Sequence, residues 1–199
     1  MRIKHIFALI FVVAFASVNA QEDSIVGVLK KTAAYTNLKL AMNDSASVVK
    51  LVLRSQKFTE FPQEILAFKN LEYLDLSNNK LKSIPREIAQ LTKLKVLIIE
   101  GNKLSDLPVE LYSLYDLRVL NVGRNQLYYL SSKISNLTEL VQLDIWSNNI
   151  AEFPEEISKL SHLKVVDMRS ISMNDEQQAE ILRLLPNTKV LLDVSCHCN

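Results

Sequence analysis

The residue types that could carry out catalysis are scarce in this chain, and none stands in a catalytic pattern. Of the three histidines, His162 follows Ser161 but has no acidic residue at the spacing of a catalytic triad. With only three glycines, the chain contains no glycine-rich loop of the kind that cradles phosphate. We therefore expect no enzymatic activity and no cofactor.

The two cysteines of the chain, Cys196 and Cys198, lie on either side of His197 near the C-terminus. They could offer soft ligands to a metal ion, but three adjacent residues cannot surround a tetrahedral ion. A disulfide between residues so close in sequence would be strained and easily reduced. We expect no metal site and no disulfide framework. The thiols could be free, paired or intermolecular.

The dominant feature of the sequence is a repeat with a fixed period of 23 residues. A fixed period in this range is typical of a solenoid, in which each unit stacks on the next. The units follow one another without insertion or deletion. Five full units start at Val48, Leu71, Leu94, Leu117 and Leu140, and a partial unit starts at Leu163.

The hydrophobic spacing changes within each unit. In the second unit, Leu74 and Leu76 alternate as in a short strand with one buried face. From Leu81 onward, apolar residues are spaced by three and four, as in a helical or 3₁₀ return arm. A proline with its fixed φ precedes four of these arms, and Ser131 replaces it in the fourth unit, which should loosen that arm slightly. The prolines are Pro62, Pro85, Pro108 and Pro154.

An asparagine recurs at the ninth position of four units, where the strand bends into the turn. Its amide can bond the free backbone groups of that bend and of the neighbouring coil. Stacking therefore predicts a ladder of satisfied polar groups. The ladder consists of Asn79, Asn102, Asn125 and Asn148.

These positions together resemble the leucine-rich repeat, whose pattern L-x-x-L-x-L-x-x-N-x-L matches residues 71–81. The continuation through Pro85, Ile88 and Leu91 is similar to the 23-residue LP-x-x-L-x-x-L subclass of bacterial surface and secreted proteins and Ras-suppressor-type scaffolds. The resemblance covers about residues 48–173. It implies an α/β solenoid, a curved stack with a concave parallel β-sheet and short helical or 3₁₀ arms on the convex side, which mostly binds proteins.

The first twenty residues have the features of a secretory signal peptide. Arg2 and Lys4 precede an apolar run over residues 6–16, and Ala20 supplies the small residue for cleavage. The run is shorter than the roughly 20 residues that span a bilayer, and no later segment is apolar enough to do so. We expect a secreted or periplasmic protein. With 23 basic and 22 acidic residues in the whole chain, we expect no general attraction for nucleic acid.

Both ends of the stack need covering segments. Residues 21–47 are predicted to form an N-terminal helical cap, with Thr36 as the N-cap of a helix that ends near Met42. Residues 174–199 are predicted to form a C-terminal cap of helix and strand with a short tail. There, Asn174 is the expected N-cap, and the last strand is expected to begin at Lys189.

The C-terminal helix should begin at Asp175 and stop before Pro186. Its apolar residues Ala179, Leu182 and Leu185 are expected to form the packed side.

The side chains at the third, fifth and seventh positions of each unit are expected to project from the strands onto one exposed concave face. Trp146, the only tryptophan, lies there beside Asp144, and exposed aromatic residues often dominate binding energy. The apolar residues in the middle could also reflect strand propensity alone. The candidate protein-binding residues are Tyr73, Asp75, Val96, Ile98, Glu100, Val119, Asn121, Asp144, Trp146, Asp167 and Arg169.

The sequence thus predicts a secreted or periplasmic, non-catalytic module that binds another protein on its concave face. One alternative is a binder of carbohydrate or envelope polymer, with Tyr73 and Trp146 as stacking platforms beside Asp144. Another alternative is an intracellular signalling scaffold, which would require that the N-terminal segment is retained.

Overall fold

The computed structural model describes residues 23–193. The chain divides into two compact units, Met1–Lys31 and Thr32–Asn199. The described part of the first unit is helix α1 (Asp23–Lys31), which ends on the basic residues Lys30 and Lys31. The predicted signal peptide, residues 1–20, and the Cys-His-Cys segment, residues 196–198, lie outside the described residues. No described helix is long and apolar enough to span a membrane.

The second unit is built on an open sheet of seven parallel strands that follow one another in chain order. Each of the first five strands pairs with the equivalent residues of the next repeat, so that Leu51 lies opposite Leu74 and Leu74 opposite Leu97. This arrangement confirms the predicted curved solenoid. The strands are β1 (Lys50–Val52), β2 (Tyr73–Asp75), β3 (Val96–Ile98), β4 (Val119–Asn121), β5 (Gln142–Asp144), β6 (Val165–Asp167) and β7 (Lys189–Leu191).

Each full repeat returns through a 3₁₀ helix of five residues. A proline in extended conformation precedes four of these arms, which begin at the next residue. Ser131 has the same conformation (φ −67°, ψ 145°), and its hydroxyl accepts the N–H of Lys133 at 3.2 Å, so the fourth arm keeps its length. The arms are Gln63–Ala67, Arg86–Gln90, Val109–Ser113, Ser132–Asn136 and Glu155–Lys159.

One continuous hydrophobic core runs through the stack between the sheet and the arms. In the second repeat the leucine and isoleucine residues are all buried: Leu71, Leu74, Leu76, Leu81, Ile84, Ile88 and Leu91. Because each coil buries these side chains against its neighbours, burial between coils contributes to the stability of every repeat.

The N-terminal end of the stack is covered by backbone pairing at the edge strand and by helix α2 (Leu38–Met42), whose Ala41 is buried in the core. Tyr35 forms a parallel bridge to the edge strand β1, where its N–H donates to the carbonyl of Lys50 at 3.0 Å. The predicted N-cap at Thr36 is wrong. The cap is Asn37, whose side chain accepts the N–H of Leu40 at 3.1 Å, because pairing at Tyr35 keeps the chain extended for one more residue.

The C-terminal helix α3 (Asp175–Leu184) begins with the predicted cap. Asn174 accepts the N–H of Gln177 at 2.8 Å, and the Gln177 side chain accepts the N–H of Asn174 at 2.9 Å. This capping box confirms the predicted start of the helix. The predicted last strand is also confirmed, since β7 pairs in parallel with β6.

The predicted packed side of α3 is wrong in part. Ala179 and Leu182 are exposed, whereas Ile181 and Leu185 are buried. The amide of Gln177 donates to the carbonyl of Ala151 at 2.9 Å. This bond fixes the rotation of the helix, because residues four apart share a face and Gln177, Ile181 and Leu185 then turn together toward the stack.

Candidate functional site

The four ninth-position asparagines form a regular polar ladder inside the stack. The amide of Asn102 donates to the carbonyls of Leu76, in the preceding coil, and Ile99, in its own, at 3.1 and 2.9 Å. Its oxygen accepts the N–H of Leu81 from the preceding coil at 3.0 Å. Asn79, Asn125 and Asn148 make the equivalent bonds, and all four are between 5% and 8% exposed. These amides join coils and leave no group for a partner.

A left-handed turn at the eighth position separates this ladder from the concave face. In the fourth repeat Arg124 has φ 51°, and its N–H donates to the carbonyl of Trp146 in the next coil at 2.8 Å. The sequence did not indicate this turn, because only two of the six residues are of types that favour φ > 0. The six residues are Ser55, Asn78, Gly101, Arg124, Ser147 and Ser170.

The expected exposed apolar patch in the middle of the concave face is absent. Tyr73, Val96 and Val119 are 8%, 2% and 9% exposed. They occupy the third position of successive repeats, on paired strands that lie about 4.8 Å apart, so they cover one another. The ammonium of Lys50 also lies 4.8 Å from the centre of the Tyr73 ring. Ile98, Glu100, Trp146 and Arg169 keep partial exposure.

Most polar fifth-position side chains on the concave side also bond the backbone just after their strand. Asp75 accepts the N–H of Ser77, and Asn121 accepts the N–H of Gly123, each at 3.0 Å. Asp167 likewise accepts the N–H of Arg169 at 3.2 Å. Short polar side chains commonly bond the backbone in this way. The recurrence of Asp or Asn at four fifth positions was the signal for this role.

Ion pairs neutralise both ends of the concave face. At the N-terminal end, the guanidinium of Arg54 lies 2.6 Å from the fully buried carboxylate of Asp75. At the C-terminal end, Arg169 donates to both carboxylate oxygens of Asp167, at 2.9 and 2.6 Å. These two acidic side chains therefore already have a cation.

The centre of the face has two carboxyl groups without such a partner. Asp144 accepts the amide of Gln142 at 2.7 Å, and Glu100 accepts the amide of Asn121 at 3.2 Å. Within residues 23–193, neither carboxyl forms an ion pair. Burial raises the pKa of Asp144 to about 7; the Gln142 hydrogen bond opposes this rise, and the charges of Asp167 and Glu100 add to it.

Trp146 lies beside these carboxyl groups in an arrangement that depends on Gly123. The two residues occupy the seventh position of neighbouring repeats, just after β4 and β5. A Cβ atom added to Gly123 would overlap the indole Nε1, so the ring occupies the space in which any other residue would place its side chain. The guanidinium of Arg124 lies 5.9 Å from the centre of the ring. The indole thus forms a partly exposed aromatic surface at the middle of the face.

The structure therefore brings together only some of the predicted site residues. We call Glu100, Asn121, Gly123, Asp144 and Trp146 the central cluster; Gly123 was missing from the sequence-based set. Asp75, Asp167 and Arg169 belong to the closed ion pairs at the two ends.

The described residues contain no metal-binding group. Within residues 23–193, no three His, Cys, Asp or Glu side chains are arranged to hold a metal ion. The exposed His162 has its Nδ1 2.9 Å from the carbonyl oxygen of Thr138, which places this ring in a structural contact between coils.

Several solved structures are similar to this chain. A leucine-rich repeat protein of Leptospira interrogans is 29% identical with a TM-score of 0.65, covering 82% of this chain and 47% of its own length. A plant peptide hormone receptor, solved in complex with RGF2, is 30% identical with a TM-score of 0.62. The match covers 73% of this chain and 24% of the receptor. Internalin C2 of Listeria monocytogenes shares the fold. It is 23% identical with a TM-score of 0.62, and the match covers 79% of this chain and 66% of the internalin.

The chain spans about half of the Leptospira protein and a quarter of the plant receptor. A search of curated proteins found no match. The family described as the leucine-rich repeat region matches residues 46–145, which is half of the chain. Together with the asparagine ladder and the in-register parallel sheet, this match shows that the chain belongs to the leucine-rich repeat family.

Proposed function

We propose that this chain is a non-catalytic module that binds a peptide or an extended segment of a protein on its concave face. The observation that carries the proposal is the Trp146 indole, which lies partly exposed over Gly123 at the centre of that face. Large aromatic side chains held in place at the centre of a surface are frequent sites of binding energy. The similar plant receptor, which was solved with its ligand RGF2, supports a protein or peptide ligand.

The proposal extends to the subclass and the location of the protein. Five full repeats of 23 residues favour the LP-x-x-L-x-x-L subclass of bacterial and Ras-suppressor-type proteins, and residues 1–20 have the pattern of a signal peptide. We propose a secreted or periplasmic protein that starts at Gln21. Mass spectrometry of the exported protein tests this: an N-terminus at Gln21 supports it, and a retained N-terminal segment would favour the intracellular scaffold.

A peptide or protein ligand is favoured over a glycan by the environment of Tyr73. The glycan hypothesis needs two aromatic platforms, but Tyr73 is nearly buried and Lys50 lies over its ring. This leaves Trp146 as the one partly exposed aromatic ring of the predicted pair. A glycan array tests the alternative directly, and a specific signal that disappears with Trp146→Ala would reverse this preference.

The decisive experiment removes the indole and measures binding. The partner is first captured from envelope or culture medium with wild-type protein and then titrated by calorimetry against Trp146→Ala. We expect a loss of about 2 kcal/mol or more in binding free energy. Tyr115→Ala is the matched control, because Tyr115 is 59% exposed and lies outside the concave face. An unchanged dissociation constant for Trp146→Ala would refute the proposed surface.

A second variant displaces the indole without deleting it. In Gly123→Ala the new methyl group would occupy the space of the ring, so the ring must move off the sheet. We expect weaker partner binding at an almost unchanged urea midpoint, because Gly123 has no positive φ and the displaced ring lies at the surface. Wild-type affinity in this variant would show that the position of the ring is unimportant.

A further inference from the structure

We infer that the bound segment presents a basic side chain, lysine or arginine, which contacts the Trp146 indole and the carboxyl groups of Glu100 and Asp144. This inference rests on the proposed function, since it names the chemistry of the ligand at the same central cluster. It commits to a cationic peptide, because charge complementarity is the property that distinguishes the centre of the face from its two ends.

The distribution of ion pairs carries the first step. Asp75 and Asp167, at the ends of the face, are each bonded to an arginine. Glu100 and Asp144, in repeats two apart, accept hydrogen bonds from neutral amides and form no ion pair within the described residues. Arg54 acts on Glu100 and Arg169 acts on Asp144 only through longer-range charge interactions, while the two carboxylates repel each other. A ligand that places a positive charge between them offsets this repulsion.

The burial of Asp144 carries the second step. A carboxylate that is only 6% exposed is poorly solvated, so its charged form is destabilised unless a cation is near. The groups that influence Asp144 are Glu100, Asp167, Arg169 and the amide of Gln142, and they leave its pKa raised to about 7. A bound cation would favour the ionised form, so binding should release a proton and strengthen as the pH rises.

The aromatic ring carries the third step. Tryptophan has the side chain whose face attracts cations most strongly. The ring already has the guanidinium of Arg124 at 5.9 Å, near the outer limit of such a contact. The central cluster thus combines an aromatic face with two carboxyl groups, a combination that suits an ammonium or guanidinium group.

A displayed library of random 12-residue peptides tests the inference. The library is selected on wild-type protein at pH 8, and peptides that also bind Trp146→Ala are removed. We expect the remaining peptides to be enriched in lysine and arginine. One labelled peptide is then titrated by fluorescence polarisation against Glu100→Gln, Asp144→Asn and the control Asp116→Asn, which removes an exposed charge outside the concave face.

We expect Glu100→Gln and Asp144→Asn each to weaken binding by about tenfold, the effect of losing one charge-assisted contact. Asp116→Asn should change binding by less than about twofold. Wild-type affinity should fall by up to about tenfold from pH 8 to pH 6 as Asp144 takes up a proton, and this fall should be absent in Asp144→Asn.

The possible outcomes separate this inference from the proposed function. Peptides that require Trp146 but lack basic residues, or that bind both carboxyl variants like wild type, would overturn the basic ligand and leave the binding surface in place. A selection that yields no peptide dependent on Trp146 would count against both. Circular dichroism of each variant checks that the loss of binding does not come from unfolding.

Discussion

Two polar columns of the repeat, at the fifth and the ninth positions, are almost equally buried but differ in how their members are bonded. Each ninth-position asparagine makes the same three bonds to two coils, so the column is uniform along the stack. At the fifth position, Asp75, Asn121, Asp144 and Asp167 each have a different set of partners. The ninth position is therefore structural throughout the stack, whereas at the fifth position Asp144 differs from Asp75 and Asp167 in having no ion pair within the described residues.

Asp75 and Asp144 show this difference at one register position. Asp75 has an arginine and a backbone N–H as partners, which compensate its burial. Asp144 has the amide of Gln142, and burial raises its pKa to about 7. The first carboxyl should therefore stabilise the fold and the second should weaken it when ionised, although a repeat alignment treats them as equivalent.

The largest effect should come from breaking the ladder. Asn102→Ala leaves the carbonyls of Leu76 and Ile99 and the N–H of Leu81 buried without these bonds. We expect the free energy of unfolding, measured with urea, to fall by about 3–5 kcal/mol. The control is Asn149→Ala, which removes the exposed amide next to Asn148 of the ladder. It should change the free energy of unfolding by less than about 0.5 kcal/mol. Equal losses in the two variants would contradict the structural role of the ladder.

Asp144→Asn should act in the opposite direction. Between about pH 4 and pH 7, folded wild-type protein holds a proton on Asp144 that the unfolded chain lacks, so the free energy of unfolding falls as the pH rises. The variant cannot ionise there and keeps a side-chain oxygen to accept the Gln142 amide. We expect it to be more stable than wild type at pH 8 by up to about 4 kcal/mol, because about three pKa units separate the folded from the unfolded carboxyl at about 1.4 kcal/mol each.

The pH dependence of this stability difference tests whether Asp144 changes its protonation state in the folded protein. The difference in unfolding free energy between Asp144→Asn and wild type should grow from pH 5 to pH 8. A difference that stays constant across this range would mean that Asp144 is ionised throughout and that its burial is compensated.

A smaller loss should follow from Asp75→Asn, the equivalent change at the N-terminal end. The amide keeps the bond to the N–H of Ser77 but loses the ion pair with Arg54, whose side chain is 56% exposed. Because solvent screens this guanidinium, we expect a loss of about 1 kcal/mol in urea unfolding. Comparison of the double variant, Arg54→Gln and Asp75→Asn, with the two single variants isolates the energy of the ion pair. If Asp75→Asn stabilised the protein, Asp75 and Asp144 would not differ in their effect on stability.

The sequence predicted the architecture well because five full repeats carry the same pattern at the same positions. Leu74 and its equivalents indicated a strand with one buried face, and the asparagine at position nine indicated a ladder between coils. The capping box at Asn174 could be recognised from four residues. The errors concern rotation and boundaries: Asn37 rather than Thr36 caps α2, and Ile181 rather than Leu182 packs against the stack.

The candidate site was predicted less completely, because exposure depends on neighbours that are 23 residues away in sequence. Val96 and Val119 looked available for binding in the sequence, but each is covered by the strands on either side. Gly123 was not among the predicted site residues, because its importance lies in the space it leaves for the ring of Trp146.

The sequence by itself determined the period, the parallel register and the polar ladder, since these follow from residue types that recur at fixed intervals. Only the tertiary structure decided which concave side chains are covered, which carboxyl groups have a cation and where the single indole lies. The physical reason is that solvation and charge depend on all the atoms around a group. Stacking supplies most of those atoms from the two adjacent coils.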